Sequence, residues 1–133
     1  MKKNPTNIVG VFLLLGIFLY SFFKSNNDLI ELKKIGVLQK AIITGTTFSK
    51  GLLLTYSFIF ENRPYTATKR ESRLNSDEVK SLFVNKTFPL IISQKNPQVR
   101  DLLIFKEDFE KYNLVYPDSL KWVCDSLKLK DCN

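Results

Sequence analysis

The chain has 133 residues, of which 44% are apolar, so there is room for one domain and little else. Its formal charge is +7, from 20 basic and 13 acidic residues, but no run of basic residues is longer than two. A nucleic-acid-binding surface usually concentrates positive charge far more, so we expect no nucleic acid as a partner. The absence of histidine excludes Ser-His-Asp and Cys-His nucleophilic sites and nearly all common zinc and iron sites.

The first feature along the chain is a run of apolar sequence without a charge, residues 8–23. Lys2 and Lys3 precede the run, and Lys24 follows it directly. As a helix the run rises about 24 Å, a little less than a bilayer core of about 30 Å, and snorkelling by Lys24 makes up part of the difference. We predict a membrane anchor, residues 1–24, that contacts the lipid bilayer through residues 8–23.

Two other interpretations of this segment are less consistent with its sequence. A cleaved secretory signal also has a basic start and an apolar middle, but it should end in small residues, whereas this run ends in Phe22 and Phe23. A buried core helix would be amphipathic, and this stretch is apolar all round. We therefore prefer the uncleaved anchor.

The orientation of the anchor follows from its flanks. A short basic head before a first apolar helix is typical of a cytoplasmic N-terminus, although Lys24, Lys33 and Lys34 give the other flank a similar number of basic residues. We predict a single-pass membrane protein with a cytoplasmic N-terminus and a periplasmic or extracellular C-terminal domain.

After the anchor, residues 25–36 predict a juxtamembrane stalk with a brief helix, which Asn27 or Asp28 can cap and Gly36 can end. A β-rich domain (residues 37–123) and a C-terminal tail (residues 124–133) follow. The predicted strands are 37–48, 52–62, 64–70, 86–94 and 100–105, each rich in β-branched or aromatic residues. The second strand alternates with a period of two, which is typical of a half-buried antiparallel strand. One face carries Leu54, Tyr56, Phe58 and Phe60, and the other carries Thr55, Ser57, Ile59 and Glu61.

Short helices are predicted between and after these strands. Asn75 and Glu78 form a pair that resembles a capping box at the start of one of them. Pro89 suggests that the fourth strand begins at a sheet edge, since proline lacks an N–H for the ladder. The elements together predict an α+β fold: a transmembrane helix followed by a small antiparallel sheet, or partly open β-barrel, of about five strands with short helices.

Strand and turn motifs between residues 37 and 105 resemble a family of small bacterial membrane-anchored β-domains of unknown function. Tyr56, Phe58 and Tyr65 match that family's Y-x-F-x-x-x-G-x-x-Y strand and turn, and the end of its second motif is matched by Asn96, Pro97 and Leu102. The departures from the pattern are Asn62 for glycine, Ile92 for tyrosine and Gln94 for proline. Asn62 can still adopt the left-handed turn conformation. The resemblance implies the fold and the anchored layout, and it implies no activity.

The remaining motifs favour a protein without catalysis, cofactor or metal. The sequence has no phosphate-binding G-x-x-x-x-G-K or G-x-G-x-x-G run, and the C-x7-C spacing matches no metal-binding pattern. The carboxylates of Glu107, Asp108 and Glu110 lie where they would complement the dipole of a short helix. We predict that the protein is not an enzyme.

Four aromatic residues are candidates for a binding face: Tyr56, Phe58, Phe60 and Tyr65. On an open β-face they could stack against single-stranded nucleic acid or sugar. The alternative is that they fill the core of the small domain. We favour the core, because basic residues do not interleave with these rings along the strand.

The two cysteines, Cys124 and Cys132, are candidates for a disulfide if the domain faces an oxidising compartment. On one continuous helix they would be separated by about 12 Å of axial rise, which is too far for a bridge. A bridge therefore requires that the last helix ends near Leu127 and that the chain then turns back. The alternative is two unpaired thiols.

Three functions remain open from sequence. The anchor, the β-domain and the missing catalytic groups favour a membrane-tethered, non-catalytic interaction domain, an accessory or scaffold protein of the bacterial envelope that binds another membrane or envelope protein. A membrane-held immunity or inhibitor protein is one alternative. A ligand-binding domain is the other.

Overall fold

The protein consists of one long N-terminal helix that leads directly into a β-sheet carrying short helices, as the computed structural model shows for residues 5–74 and 80–128. The helices are α1 (Pro5–Ile35), α2 (Lys80–Phe83), α3 (Lys106–Glu110) and α4 (Lys121–Leu127), with a 3-10 turn (Asp118–Leu120) before α4. The strands are β1 (Gly36–Phe48), β2 (Leu52–Phe60), β3 (Arg63–Glu71), β4 (Thr87–Ser93) and β5 (Arg100–Leu102). The predicted α+β class and the five strands are confirmed.

The five strands form one antiparallel sheet in the order β3-β2-β1-β4-β5, and the sheet curls into a half-barrel. Strands β3 and β5 are therefore its two edges. The inner, concave face carries the core, and the alternation predicted for β2 holds: Leu54, Tyr56, Phe58 and Phe60 are buried, whereas Ile59 is 65% exposed. A period of two of this kind places every second side chain of a strand on the core side.

A tight turn sets the register of β2 and β3. Glu61 and Asn62 both have positive φ, 49° and 61°, between the paired residues Phe60 and Arg63. This is the geometry that two-residue hairpins favour, because it matches the twist of the strands. The left-handed conformation predicted for Asn62 is thus confirmed.

The edge predicted at Pro89 exists only locally. Strand β4 lies between β1 and β5, but β5 pairs only with residues Leu90–Ile92, so the first residues of β4 have no partner in β5. The carbonyl oxygen of Pro89 accepts a hydrogen bond from the amide of Leu103, just beyond β5. The missing N–H of proline lies on that same side and costs no bond with β1.

Helix α1 is continuous through the predicted stalk and changes directly to strand at Gly36. The separate brief helix expected in residues 25–36 is thus the end of α1, and Gly36 is the first residue of β1. A Cβ atom on Gly36 would overlap the carbonyl oxygen of Leu32 and lie 2.8 Å from Cγ1 of Ile91. Glycine therefore permits the close contact between the end of α1 and the sheet.

The end of α1 packs on the sheet through one buried side chain and one hydrogen bond. Leu32 is buried, and the hydroxyl of Ser93 in β4 donates to the carboxylate of Glu31. Helix and sheet are therefore joined by contacts as well as by the chain. The capping pair predicted at Asn75 and Glu78 lies outside the described residues.

Candidate functional site

The four aromatic residues of the candidate binding face lie on the inner face of β2 and β3. Tyr56, Phe58 and Phe60 are buried, and Tyr65 is half-buried and stacked on Phe58, with ring centroids 5.5 Å apart. Packed in this way, the rings occupy the interior of the half-barrel, which is where the second alternative, a place in the core, puts them. A stacked ligand would have to displace the sheet's own core.

Lys69 connects the two edges of the sheet. Its Nζ atom on β3 lies 3.0 Å from Oδ1 of Asp101 on β5 and donates to the carbonyl oxygen of Leu102 at 2.5 Å. Asp101 also accepts a hydrogen bond from the hydroxyl of Tyr112 at 3.0 Å. The gap of the half-barrel is therefore spanned by side chains where no strand pairing exists.

Asp108 also pairs with Lys69, and it is the most buried member of the ionic cluster that Lys69, Asp101 and Asp108 form. Its side chain is 2% exposed and accepts the backbone amides of Ile104 and Phe105 at 3.1 and 3.0 Å, while Lys69 lies 3.6 Å away. Burial alone would raise the pKa of Asp108, but Lys69 and the two amides outweigh it, and the pKa of the carboxyl is lowered. The carboxyl group of Asp108 is therefore ionised at neutral pH.

Neighbouring groups complete the cluster. Arg73 binds both carboxylate oxygens of Glu71, at 2.7 and 2.8 Å, and this hydrogen bond raises the pKa of the guanidinium. Burial, followed by the charge of Asp101, raises the pKa of Tyr112, so its hydroxyl stays protonated and donates. Among the described residues, no buried side-chain nitrogen or oxygen lacks a hydrogen-bond partner. These charges stabilise one another and hold the sheet edges together.

A groove of about 580 Å³ lies between α1 and the sheet, and we call it the juxtamembrane groove. One wall is the part of α1 from Tyr20 to Leu32, and the other comes from β5 and the end of α3. The polar lining residues are Tyr20, Ser21, Lys24, Ser25, Asn26, Asp28, Arg100, Asp101, Lys111 and Tyr112. Sequence reasoning missed this site, because its two walls are separated by about seventy residues of chain.

The cations of the groove differ in how they are paired. Lys111 lies 3.8 Å from Asp101 and 3.6 Å from Asp108. Arg100 instead donates to neutral oxygens, those of Tyr56, Pro97 and Gln98. Within residues 5–74 and 80–128, neither Arg100 nor Lys24 forms an ion pair. The lining carries three cations against Asp28 and Asp101, so the groove has an excess of one positive charge.

The outer face of the sheet carries three exposed apolar side chains, Leu38 (53% exposed), Ile42 (49%) and Ile59 (65%), which we call the outer apolar patch. Ile42 on β1 pairs with Ser57 on β2, and Ile59 with Pro64 on β3. A shallow depression of about 580 Å³ includes Ile42 and Ile59. The alternation of β2 places Ile59 on the solvent side, so the sequence indicated this one exposed residue of the patch.

Cys124 is buried in α4, with its sulfur 3.6 Å from the hydroxyl of Tyr116. Helix α4 ends at Leu127, where the bridge to Cys132 requires an end, and Lys128 takes the left-handed conformation with φ of 52°. Lysine thus makes the reversal that glycine usually makes at a helix C-terminus. Cys132 lies outside the described residues, so the pairing of the two cysteines stays a prediction.

One helix of the described chain, Val9–Ile35, is long and apolar enough to cross a membrane, and its most apolar window is not buried against the rest of the protein. The large apolar side chains from Val9 to Phe23 are exposed. Among the described residues, no group of three His, Cys, Asp or Glu side chains could hold a metal ion.

No protein-family model, curated protein or solved structure matches the chain. The resemblance described from sequence rests on its strand and turn motifs alone.

Proposed function

We propose that the protein is a membrane-tethered, non-catalytic interaction domain, an accessory or scaffold protein of the bacterial envelope. Residues 8–23 hold it in the bilayer, and the outer apolar patch binds another membrane or envelope protein. The single observation that carries the proposal is this patch, since exposed apolar side chains on the outer face of a sheet favour an interaction surface. Ile42 and Ile59 line one depression on this face together with Lys40.

The exposure of the apolar part of α1 supports the anchor. A helix with Phe12, Phe18 and Phe23 all more than half exposed would be poorly soluble in water. In a bilayer the same side chains are solvated by lipid. The apolar run ends at Lys24, and the contacts of α1 with the sheet lie farther along the helix, at Glu31 and Leu32.

The pairing of the ionic cluster supports the absence of catalysis. A catalytic group usually combines a perturbed pKa with access to substrate. Here Asp108 is perturbed but is 2% exposed, and its carboxylate is occupied by two amides and by Lys69. This environment stabilises the fold and presents no free group to a substrate.

Copurification of the full chain in mild detergent tests the proposal. The variant Ile42→Thr/Ile59→Thr removes two apolar side chains and keeps β-branched residues in the strands. Val115→Thr is the matched control, because Val115 is 90% exposed and lies outside the patch. We expect the patch variant to lose a partner that the wild type and the control retain. A wild type that always purifies as a solitary monomer, or a patch variant that keeps its partner, would contradict the proposal.

A further inference from the structure

We propose that the juxtamembrane groove binds the phosphate of an anionic phospholipid head group in the leaflet next to the domain. This inference rests on the proposed membrane anchor but not on the proposed protein partner. It assigns a lipid ligand to a site that is separate from the outer apolar patch, since the two share no lining residue.

The position of the groove along α1 matches the head-group layer. With residues 8–23 in the hydrocarbon core, Tyr20 lies in the last turn of the apolar run and Lys24 is the first charged residue beyond it. The α1 wall extends from Tyr20 to Leu32, about 18 Å of helix rise, which begins inside the core and continues past the head groups. A lipid beside α1 would therefore present its phosphate at the mouth of the groove.

The charges of the groove favour an anion. Lys24, Arg100 and Lys111 contribute three positive charges against Asp28 and Asp101, an excess of one in the lining. Lys111 also lies 3.6 Å from the buried Asp108, so Lys24 and Arg100 are the cations of the groove that form no ion pair among the described residues. Asp101 is already compensated by Lys69 at 3.0 Å and by the hydroxyl of Tyr112. Basic pockets between transmembrane helices bind anionic lipid head groups, and this groove presents its cations beside one such helix.

Arg100 has the geometry of a phosphate ligand. Its guanidinium is held in place by hydrogen bonds to Tyr56 and Pro97 and lies over the ring of Phe58, 5.6 Å from the ring centroid. A guanidinium that is fixed by neutral partners keeps its full charge for an incoming anion. Arginine also loses less conformational entropy than lysine for each hydrogen bond to a phosphate.

The shape and lining of the groove distinguish a lipid from a phosphate in solution. Its volume of about 580 Å³ lies within the usual range of small-ligand pockets and is larger than the volume that a phosphate ion alone would occupy. Hydroxyls of Ser21 and Ser25 on the α1 wall suit the glycerol part of a head group. Acyl chains would continue along the exposed apolar surface of α1, which gives a lipid contacts that soluble glycerol phosphate lacks.

The test uses the full chain in nanodiscs of phosphatidylcholine alone or of phosphatidylcholine with phosphatidylglycerol, followed by detergent release and native mass spectrometry. We expect selective retention of phosphatidylglycerol by the wild type. The double variant Lys24→Gln/Lys111→Gln should retain it about fivefold less for each lysine removed, from the usual attraction of one lysine to an anionic surface. Lys50→Gln, the same charge change in the β1–β2 turn, should retain it as the wild type does.

Two further measurements keep the outcomes distinct. Carbonate extraction of membranes reports whether α1 is inserted, and a chain that is extracted would overturn both the anchor and this inference. An inserted chain with equal retention of the two lipids would overturn the lipid site alone and leave the interaction domain standing. Soluble glycerol phosphate is added as a competitor, and displacement of the lipid at similar concentration would identify a site for phosphate in solution and overturn the lipid assignment.

Discussion

Lys69 on one edge of the sheet lies 3.0 Å from Asp101 on the other edge, measured from Nζ to Oδ1. The two residues are separated by three intervening strands in the sheet order, so only the curl of the sheet brings them together. At this point the two edges of the half-barrel are joined by an ion pair, and no strand pairing connects them. An ion pair of this kind, with side chains 18% and 20% exposed, is partly desolvated and depends on exact placement.

A double-mutant cycle with Lys69→Met and Asp101→Asn measures this closure. We expect a coupling of roughly 1–2 kcal/mol in the free energy of unfolding, as for contacting residues of one ionic network. Urea unfolding of the full chain in detergent gives the four values. The matched control is the exposed pair Lys121 and Asp118, 2.8 Å apart, which should show far weaker coupling. Equal coupling for the two pairs would mean that Lys69 does not close the sheet.

The stability of the domain should decrease at acid pH through Asp108. Its folded pKa lies below the unfolded value of 3.8, so the unfolded chain binds the proton more readily. The stabilisation is therefore complete above about pH 3.8 and is lost as the pH falls through the lower folded pKa. Asp108→Asn should cost roughly 3 kcal/mol at neutral pH, because it leaves buried cations without their partner.

Denaturant unfolding across the pH range checks this expectation. The difference between the wild type and Asp108→Asn should shrink as the pH falls, since protonation removes the same charge from the wild type. A constant difference at all pH values would show that the substitution acts through packing or through its lost acceptor for the amides of Ile104 and Phe105.

Gly36→Ala should loosen the junction between α1 and the sheet. The added Cβ would overlap the carbonyl oxygen of Leu32 and the side chain of Ile91, and overpacking of this kind costs about 1–3 kcal/mol. Gly45→Ala is the control, because its Cβ would meet nothing closer than 4.0 Å. In limited proteolysis, Gly36→Ala should be cut faster at the junction than Gly45→Ala. In urea unfolding, Gly36→Ala should have the lower free energy of unfolding. Similar behaviour of the two would contradict the close contact at Gly36.

The predicted disulfide between Cys124 and Cys132 is tested by alkylation of the denatured protein with and without prior reduction. Protein from an oxidising compartment should take up the label only after reduction. In the simple chain-entropy model, closing this loop raises the free energy of unfolding by about 2.6 kcal/mol. Cys132→Ser should therefore lower the free energy of unfolding by up to that amount. Full labelling without reduction would exclude the bond.

The proposed orientation is tested by a membrane-impermeant maleimide on intact cells. Labelling that appears only after reduction would place the domain outside with the cysteines bonded, and labelling without reduction would place it outside with a free thiol. Labelling that needs permeabilised cells, and to which reduction adds nothing, would place the domain in the cytoplasm and contradict both predictions.

Local patterns predicted most of the secondary structure. The alternation of Leu54, Tyr56, Phe58 and Phe60 identified strand β2 and its buried face, because burial of every second residue follows from strand geometry alone. Asn62 identified the turn, since few residues adopt positive φ readily. Helix α4 ends at Leu127, which is the end that a bridge between Cys124 and Cys132 requires.

The features that could not be predicted from the sequence depend on contacts between residues that are distant along the chain. The continuity of α1 through residues 25–35 is accompanied by the packing of Leu32 on the sheet, whereas the polar residues of this segment suggested a boundary. The contact of Lys69 with Asp101 requires the strand order and the curl, neither of which has a local signal. The juxtamembrane groove combines Lys24 with Arg100 and could not be recognised before both walls were placed.

The direct passage from α1 to β1 restricts which molecules can bind the domain. Without a flexible linker, the proposed anchor would hold the outer apolar patch at one height above the bilayer and in one orientation relative to it. The proposed partner, if it lies in the same membrane, would meet the patch by lateral diffusion at a local concentration set by the shared surface, so even weak contacts could suffice. A protein whose complementary surface stands at a different height cannot bind, whatever its chemistry.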